Sequence, residues 1–143
     1  MDLTYAFALN HENQFAPRHF GDADKFAIYR REGEEIKFVK DIDNKFRDYD
    51  DEVKHGSKKK GKAIIDFLKS EGVNVLVSRQ FGRNITMVNK HFIPVVITNE
   101  NPEEVVEILR RHRHWIVEEW ESSKSDFKLF KVKSSVLKLR IEE

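Results

Sequence analysis

The chain has 143 residues, with 26 Lys and Arg against 25 Asp and Glu, and it contains no cysteine. A chain of this length fits one domain with a substantial hydrophobic core. The net charge of +1 argues against nucleic acid as a partner, because proteins that bind phosphate backbones usually carry a marked basic excess. Without cysteine there are no disulfides and no thiolate metal sites, so any metal must be held by histidine, carboxylate, methionine or an exogenous ligand.

The first ten residues, MDLTYAFALN, have no basic start and too short an apolar run for a signal peptide. No segment of the sequence is long and apolar enough to span a bilayer. We therefore expect a cytoplasmic protein with no membrane partner.

Strand-type patterns dominate the first third of the chain. The segments 3–9 (LTYAFAL) and 25–31 (KFAIYRR) are rich in aromatic and β-branched residues and predict strands. The segment 34–42 alternates apolar residues with lysines after a glycine turn, so 25–42 is predicted to be a hairpin. Residues 43–61 are polar and charged throughout, which predicts a loop.

Helices and buried strands alternate in the middle of the chain. The segment 62–72 (KAIIDFLKSEG) has apolar residues on one helical face and ends in Gly72, a typical C-terminal cap. Two short apolar runs, 73–78 and 93–98, predict strands buried on both faces. Between them, 83–92 predicts a short helix.

The segment 101–121 is the clearest helix prediction. It begins with Asn101 as the N-cap, Pro102 at the first position and acidic residues in the first turn. Its apolar stripe predicts that Trp115 and Trp120 pack in the core or against the tail. The stripe consists of Val105, Ile108, Leu109, His112, Trp115, Ile116 and Trp120.

The element order is β-β-β-α-β-α-β-α, followed by a tail. Two strand–helix–strand units with right-handed crossovers, added to the opening hairpin, predict an α/β fold with a mixed five-stranded sheet. We assign residues 1–121 to this domain and 122–143 to a C-terminal extension. The extension alternates apolar and basic residues on either side of two serines, which predicts a hairpin or edge strands. Such strands can form a homodimer with a second copy or cover the edge of their own sheet.

This topology brings several loops to one edge of the sheet, where ligands bind in open α/β folds. His11, His19 and His55 belong to that edge, whereas the other three histidines fall toward the opposite one. Helix N-termini and cationic side chains also meet there, and both favour an anionic ligand. The cations are Arg18, Lys58, Lys59, Lys60, Arg79 and Arg83.

The stretch RHFG (18–21) is the most distinctive part of that edge. Phe20 is predicted to anchor the loop by burying its ring, and Gly21 to supply a positive φ for a tight turn. His19 then either presents its imidazole to a ligand or makes only local hydrogen bonds to the backbone.

At these residues the chain resembles the dinitrogenase iron–molybdenum cofactor biosynthesis family. The resemblance rests on an N-terminal strand, HFG (19–21) followed closely by KFAIYR (25–30), a His-Gly pair at 55–56, AIIDFLKSEGVNVLVSRQFG (63–82), and a final strand–helix pair ending at Trp120. Relatives often carry arginine where this chain has Asp22, and small residues where it has three lysines at 58–60.

The resemblance implies a three-layer fold with a ribonuclease-H-like motif. It also implies binding of an iron–sulfur or iron–molybdenum-type cluster or its precursor, with His19 as the candidate metal ligand. We expect His11 or His55 to assist, and Arg79 with Gly82 to shape an anion pocket. The remaining candidates for that pocket are Arg18, Gly21 and Arg83.

We expect a carrier that exchanges its cofactor with donor and acceptor proteins, not an enzyme. No nucleophile–base pair stands out, and the strand interiors lack the carboxylates that a two-metal nuclease requires. Two alternatives remain open: a sensor of small anions or nucleotides at the same edge, and a protein-interaction module that uses the tail.

Overall fold

The computed structural model describes residues 2–46, 57–82, 85–133 and 136–139, with backbone only at 57–59. These residues form one seven-stranded sheet in the order β3-β2-β1-β4-β5-β6-β7. The strands are β1 (Thr4–Leu9), β2 (Lys25–Glu32), β3 (Glu35–Asp43), β4 (Val75–Ser78), β5 (Ile93–Val96), β6 (Phe130–Lys133) and β7 (Val136–Leu139). The helices are α1 (Ser57–Ser70), α2 (Ile85–Val88), α3 (Pro102–Arg111) and α4 (Arg113–Ser122).

The sheet is mixed, and its strand directions follow from the connections. The hairpins β1–β2, β2–β3 and β6–β7 are antiparallel, whereas β1, β4, β5 and β6 run parallel to one another. The predicted opening hairpin is therefore confirmed. The carboxyl ends of β1 and β4, which are direct neighbours, meet at the same edge of the sheet.

The prediction of five strands was wrong, because the sheet has seven. The two additional strands come from the C-terminal tail: β6 pairs with β5, and β7 pairs with β6. The tail thus covers the edge that β5 would otherwise expose and moves the free edge to β7.

Alternate residues of β1 belong to two hydrophobic cores, one on each face of the sheet. Tyr5 and Phe7 pack with the buried residues of α3 and α4, whereas Ala6 and Ala8 pack with those of α1 and α2. Every residue of β1 is buried, which is the pattern of a central strand covered by helices on both sides. The molecule therefore has three layers.

Two helix predictions differ from the structure. The helix α1 begins at Ser57, so the end of the predicted loop 43–61 is helical. The predicted helix 101–121 breaks at His112, whose φ of −110° and ψ of 19° separate α3 from α4. The amide of Trp115 bonds back to the carbonyl of His112 over 3.0 Å, a tighter turn that apolar periodicity cannot reveal.

The two tryptophans of α4 have different environments. Trp120 stacks on Phe127 of the tail with ring centroids 4.9 Å apart, as predicted. Trp115 is 40% exposed, so its placement in the core was wrong; its ring stacks on that of His112 instead. No helix within the described ranges is both long and apolar enough to cross a membrane.

Candidate functional site

The loop between β1 and β2 crosses the carboxyl end of β4 and places His19 there. Phe20 is 1% exposed and packs against Phe81, with ring centroids 5.8 Å apart. Its amide donates to the carbonyl of Gln80 over 3.0 Å, and His19 forms an isolated parallel bridge with the same residue. Phe20 therefore anchors the loop as predicted, while the side chain of His19 remains exposed.

The imidazole of His19 packs directly against Gly82. A Cβ atom at position 82 would lie 2.1 Å from Nδ1 and 2.3 Å from Cε1 of the ring, closer than any real contact. Gly82 also has a φ of +65°, in the left-handed region that favours glycine. The ring can occupy this position only because residue 82 has no side chain.

Asn44, which directly follows β3, holds the loop from the other side. Its buried amide donates to the carbonyls of Gly21 and Ala23, at 2.9 Å each. Its side-chain oxygen accepts a hydrogen bond from the backbone amide of Phe46, and the backbone amide of Asn44 donates to the carbonyl of Asp24. Because both N–H donors of the side-chain amide bond to carbonyls of the loop, Asn44 fixes the backbone that carries His19.

A third restraint comes from α1. The ammonium of Lys60 forms a salt bridge with Asp22, and the stem of Lys60 lies over Gly21, where a Cβ atom would come within 3.6 Å of its Cε. The side chain of Lys60 is 14% exposed, so this salt bridge is partly buried. The aspartate after HFG and a lysine near the start of α1 thus contact each other.

The prediction for Gly21 was wrong in one respect. Its φ is not positive; the glycines with positive φ among the described residues are Gly33, Gly72 and Gly82. Gly21 lies instead in a 3-10 turn, Phe20–Asp22. A Cβ atom at this position would make ordinary contacts with α1, 3.5 Å from Cδ1 of Ile64 and 3.6 Å from Cε of Lys60, so neither the space nor the dihedral angle requires glycine here.

The other predicted residues occupy different surroundings. Arg18 is exposed and Arg79 is half-buried, and both belong to the segments that meet at His19. His11 lies at the start of the same loop, where its backbone amide donates to the carboxylate of Asp24 over 3.0 Å and its Nε2 lies 3.8 Å from the same carboxylate. The predictions for His55 and Arg83 fall outside the described residues.

Two histidines outside this loop have lowered pKa values. Burial lowers the pKa of His91, before β5, and of His112, between α3 and α4. Burial also raises the pKa of Tyr5 to about 12, and its hydroxyl has no hydrogen-bond partner among the described residues.

Sequence reasoning missed two residues that shape the site, Asn44 and Ser78. Ser78, the last residue of β4, is fully buried and donates its hydroxyl to the carbonyl of Gln80 over 2.9 Å. This bond stabilises the turn after β4, where the chain lies beside His19. In the case of Asn44, the available signal was a polar residue close behind the predicted strand 34–42, but it did not identify the partners.

The donor set is small. Within the described ranges, no three histidine, aspartate or glutamate side chains converge in a way that would hold a metal ion. The described part of the edge therefore offers exposed imidazoles on the β1–β2 loop, those of His19 and His11, and not a closed metal cage.

Comparison with known protein families gives a match over most of the chain. The model of the family described as "Dinitrogenase iron-molybdenum cofactor" covers residues 1–113. The chain belongs to this family. The family region contains HFG, Asn44, Gly82 and all five strands from β1 to β5, whereas β6 and β7 lie beyond it. A search of curated proteins gave no match.

Proposed function

We propose that the protein carries an iron-containing cluster, either an iron–sulfur cluster or an iron–molybdenum-type cofactor or precursor, with His19 as its ligand. The cluster is the cargo of the protein. The observation that carries the proposal is the exposed imidazole of His19, packed against Gly82 at the carboxyl ends of β1 and β4. Membership in the cofactor family supports the identity of the cargo.

The position of His19 fits ligand binding in an open α/β sheet. Ligands of such folds bind outside the carboxyl ends of parallel strands, at the crevice between neighbours whose connections leave in opposite directions. β1 connects to β2, which is its neighbour away from β4. β4 connects through α2 to β5, which is its neighbour away from β1. His19 lies above this crevice.

The chemistry of one imidazole fits a carrier. Neutral imidazole is a good ligand for iron, and a cluster brings its own sulfides, so one protein ligand is enough to attach it. A single attachment can be exchanged readily with a donor or acceptor protein. Arg18 and Arg79 supply positive charge to hold an anionic cluster, and His11 supplies a second imidazole on the same loop.

We further infer that the core has a ribonuclease-H-like motif, with a carrier role in place of catalysis. The strand order β3-β2-β1-β4-β5 with an antiparallel β2 supports the motif. The described strands β1 (TYAFAL) and β4 (VLVS) contain no carboxylates. Two-metal phosphoryl transfer needs carboxylates at such positions, which supports a binding function over a nuclease.

The test is anaerobic loading. The protein is incubated with ferrous iron and sulfide, or with isolated cofactor, and passed through a gel-filtration column; bound iron and visible absorption are then measured. His19→Ala is compared with His114→Ala, which removes an exposed histidine from α4. We expect the parent and His114→Ala to retain iron and His19→Ala to lose it.

Two results would contradict the proposal. Equal retention by His19→Ala and the parent would exclude His19 as the ligand. Absence of iron from all three proteins would favour a small-anion or nucleotide ligand at the same edge, which titration with inorganic phosphate and with a nucleotide would then test.

A further inference from the structure

Among the described strands, β7 is an edge strand of the sheet. It is the last strand in the order, and among the described residues its strand partner is β6. In an antiparallel pair, every second residue directs its backbone N–H and C=O away from the partner strand. β7 therefore offers hydrogen-bonding groups on its outer side to an additional strand.

One face of the β6–β7 hairpin is basic. The register pairs Lys131 with Lys138 and Lys133 with Val136, and directly paired residues lie on the same face. Val136 and Lys138, two positions apart, also share a face. Three lysines and one exposed valine thus form what we call the lysine face of the hairpin.

The charges of this face are not neutralised within the hairpin. The segment from Phe127 to Leu139 contains four lysines and no acidic residue, although the whole chain is nearly neutral. Across the described ranges, none of the three lysines of the lysine face forms a salt bridge with a carboxylate. Like charges directly opposite each other destabilise a strand pair, so Lys131 and Lys138 weaken the hairpin until negative charge approaches.

We propose that β7 is a docking edge for an acidic, extended segment of a partner protein, which adds an eighth strand to the sheet. Main-chain hydrogen bonds hold the added strand, and its carboxylates lie beside Lys138 and near Lys131 and Lys133. Apolar side chains that alternate with the carboxylates lie on the opposite face and contact Leu139, which is 42% exposed. The docking edge is independent of the His19 site and lies outside the matched family region.

Charge selects this occupant over a second copy of the chain. Two β7 edges side by side would bring two lysine faces together, which is unfavourable. The opposite edge of the sheet, β3, has no such preference, because its charged residues are of both signs. They are Glu35, Lys37, Lys40, Asp41 and Asp43.

The first experiment measures binding of a short peptide of alternating glutamate and valine by isothermal titration at low salt. Lys131→Gln/Lys138→Gln is expected to weaken binding about tenfold, whereas the control Lys37→Gln/Lys90→Gln, with the same change in net charge, stays within about twofold. The hairpin variant should be as stable as the parent or more stable, because the substitution removes a like-charge pair. Denaturant unfolding of both variants checks this stability and so separates a loss of binding from unfolding.

Three results would overturn the proposal. The first is equal binding of the same peptide with N-methylated backbone amides, since a paired strand needs those donors. The second is tighter binding of oligothymidylate than of the peptide, which would identify a nucleic-acid surface. The third is a dimeric parent in sedimentation analysis that excludes the peptide, which would show that a second copy occupies β7.

Discussion

Replacing Gly82 with alanine tests the geometry of the site through a single methyl group. Gly82 and Gly33 have the same φ of +65°, so alanine pays the same backbone cost at either position, about 1–2 kcal/mol. At Gly33 the new Cβ atom meets nothing within 4 Å. At Gly82 it falls 2.1 Å from Nδ1 of His19, so the ring must retreat by about 1.3 Å to restore ordinary contact.

The two variants are therefore expected to differ at His19 although they share the backbone penalty. Denaturant unfolding should show a loss of about 1–2 kcal/mol for Gly33→Ala and at least as much for Gly82→Ala. The NMR signals of the His19 imidazole should shift in Gly82→Ala alone. Iron retention should fall in Gly82→Ala to the level of His19→Ala and remain normal in Gly33→Ala.

The reasoning is refuted if Gly82→Ala leaves the imidazole signals of His19 unchanged. A second refutation is identical behaviour of Gly82→Ala and Gly33→Ala in both stability and iron retention. If the imidazole moves and iron is still retained, the contact is real but His19 is not the ligand, which separates the structural claim from the functional one.

Three further predictions concern the supports of the site and the acid stability of the fold. Asn44→Ala should lower the free energy of unfolding by about 2 kcal/mol and speed amide hydrogen exchange in the His19 loop, because two carbonyls lose their donor. The control Asn101→Ala should lower it by about 1 kcal/mol without faster exchange in that loop. A double-mutant cycle between Asp22→Asn and Lys60→Met should give a coupling energy of about 1 kcal/mol that decreases with added salt, and zero coupling would contradict the ion pair. Burial lowers the pKa of His112 below 6.5, so the unfolded chain takes up that proton at a higher pH than the folded protein, and stability should fall as the pH drops below 6.5. His112→Gln should reduce this fall in the denaturation midpoints, and an unchanged pH profile would refute the prediction.

Features set by local chemistry could be predicted from the sequence. Asn101 and Glu104 form the full capping box that begins α3, with the amide of Glu104 donating to the side chain of Asn101 over 2.9 Å. Gly72, predicted as a C-cap, has a φ of +78°. The continuous apolar runs form buried central strands. Their side chains are apolar on both faces, so both faces can be covered by helices.

Features that depend on contacts between distant residues could not be predicted. Nothing local to Gly82 indicates that its missing side chain makes room for His19, 63 residues earlier. The partners of the Asn44 side-chain amide are backbone carbonyls of another loop. Every residue has a backbone carbonyl, so the sequence does not indicate which ones Asn44 contacts. The break at His112 likewise depends on one residue leaving helical dihedrals within a continuous apolar pattern.

The most direct test of the central claim is pulsed electron paramagnetic resonance on the loaded protein labelled with [15N]histidine. Direct ligation by His19 predicts a strong 15N hyperfine coupling to the paramagnetic cluster, present in the parent and in His114→Ala and absent from His19→Ala. A coupling that persists in His19→Ala, or a loaded parent without any coupling, would contradict the assignment of His19 as the ligand.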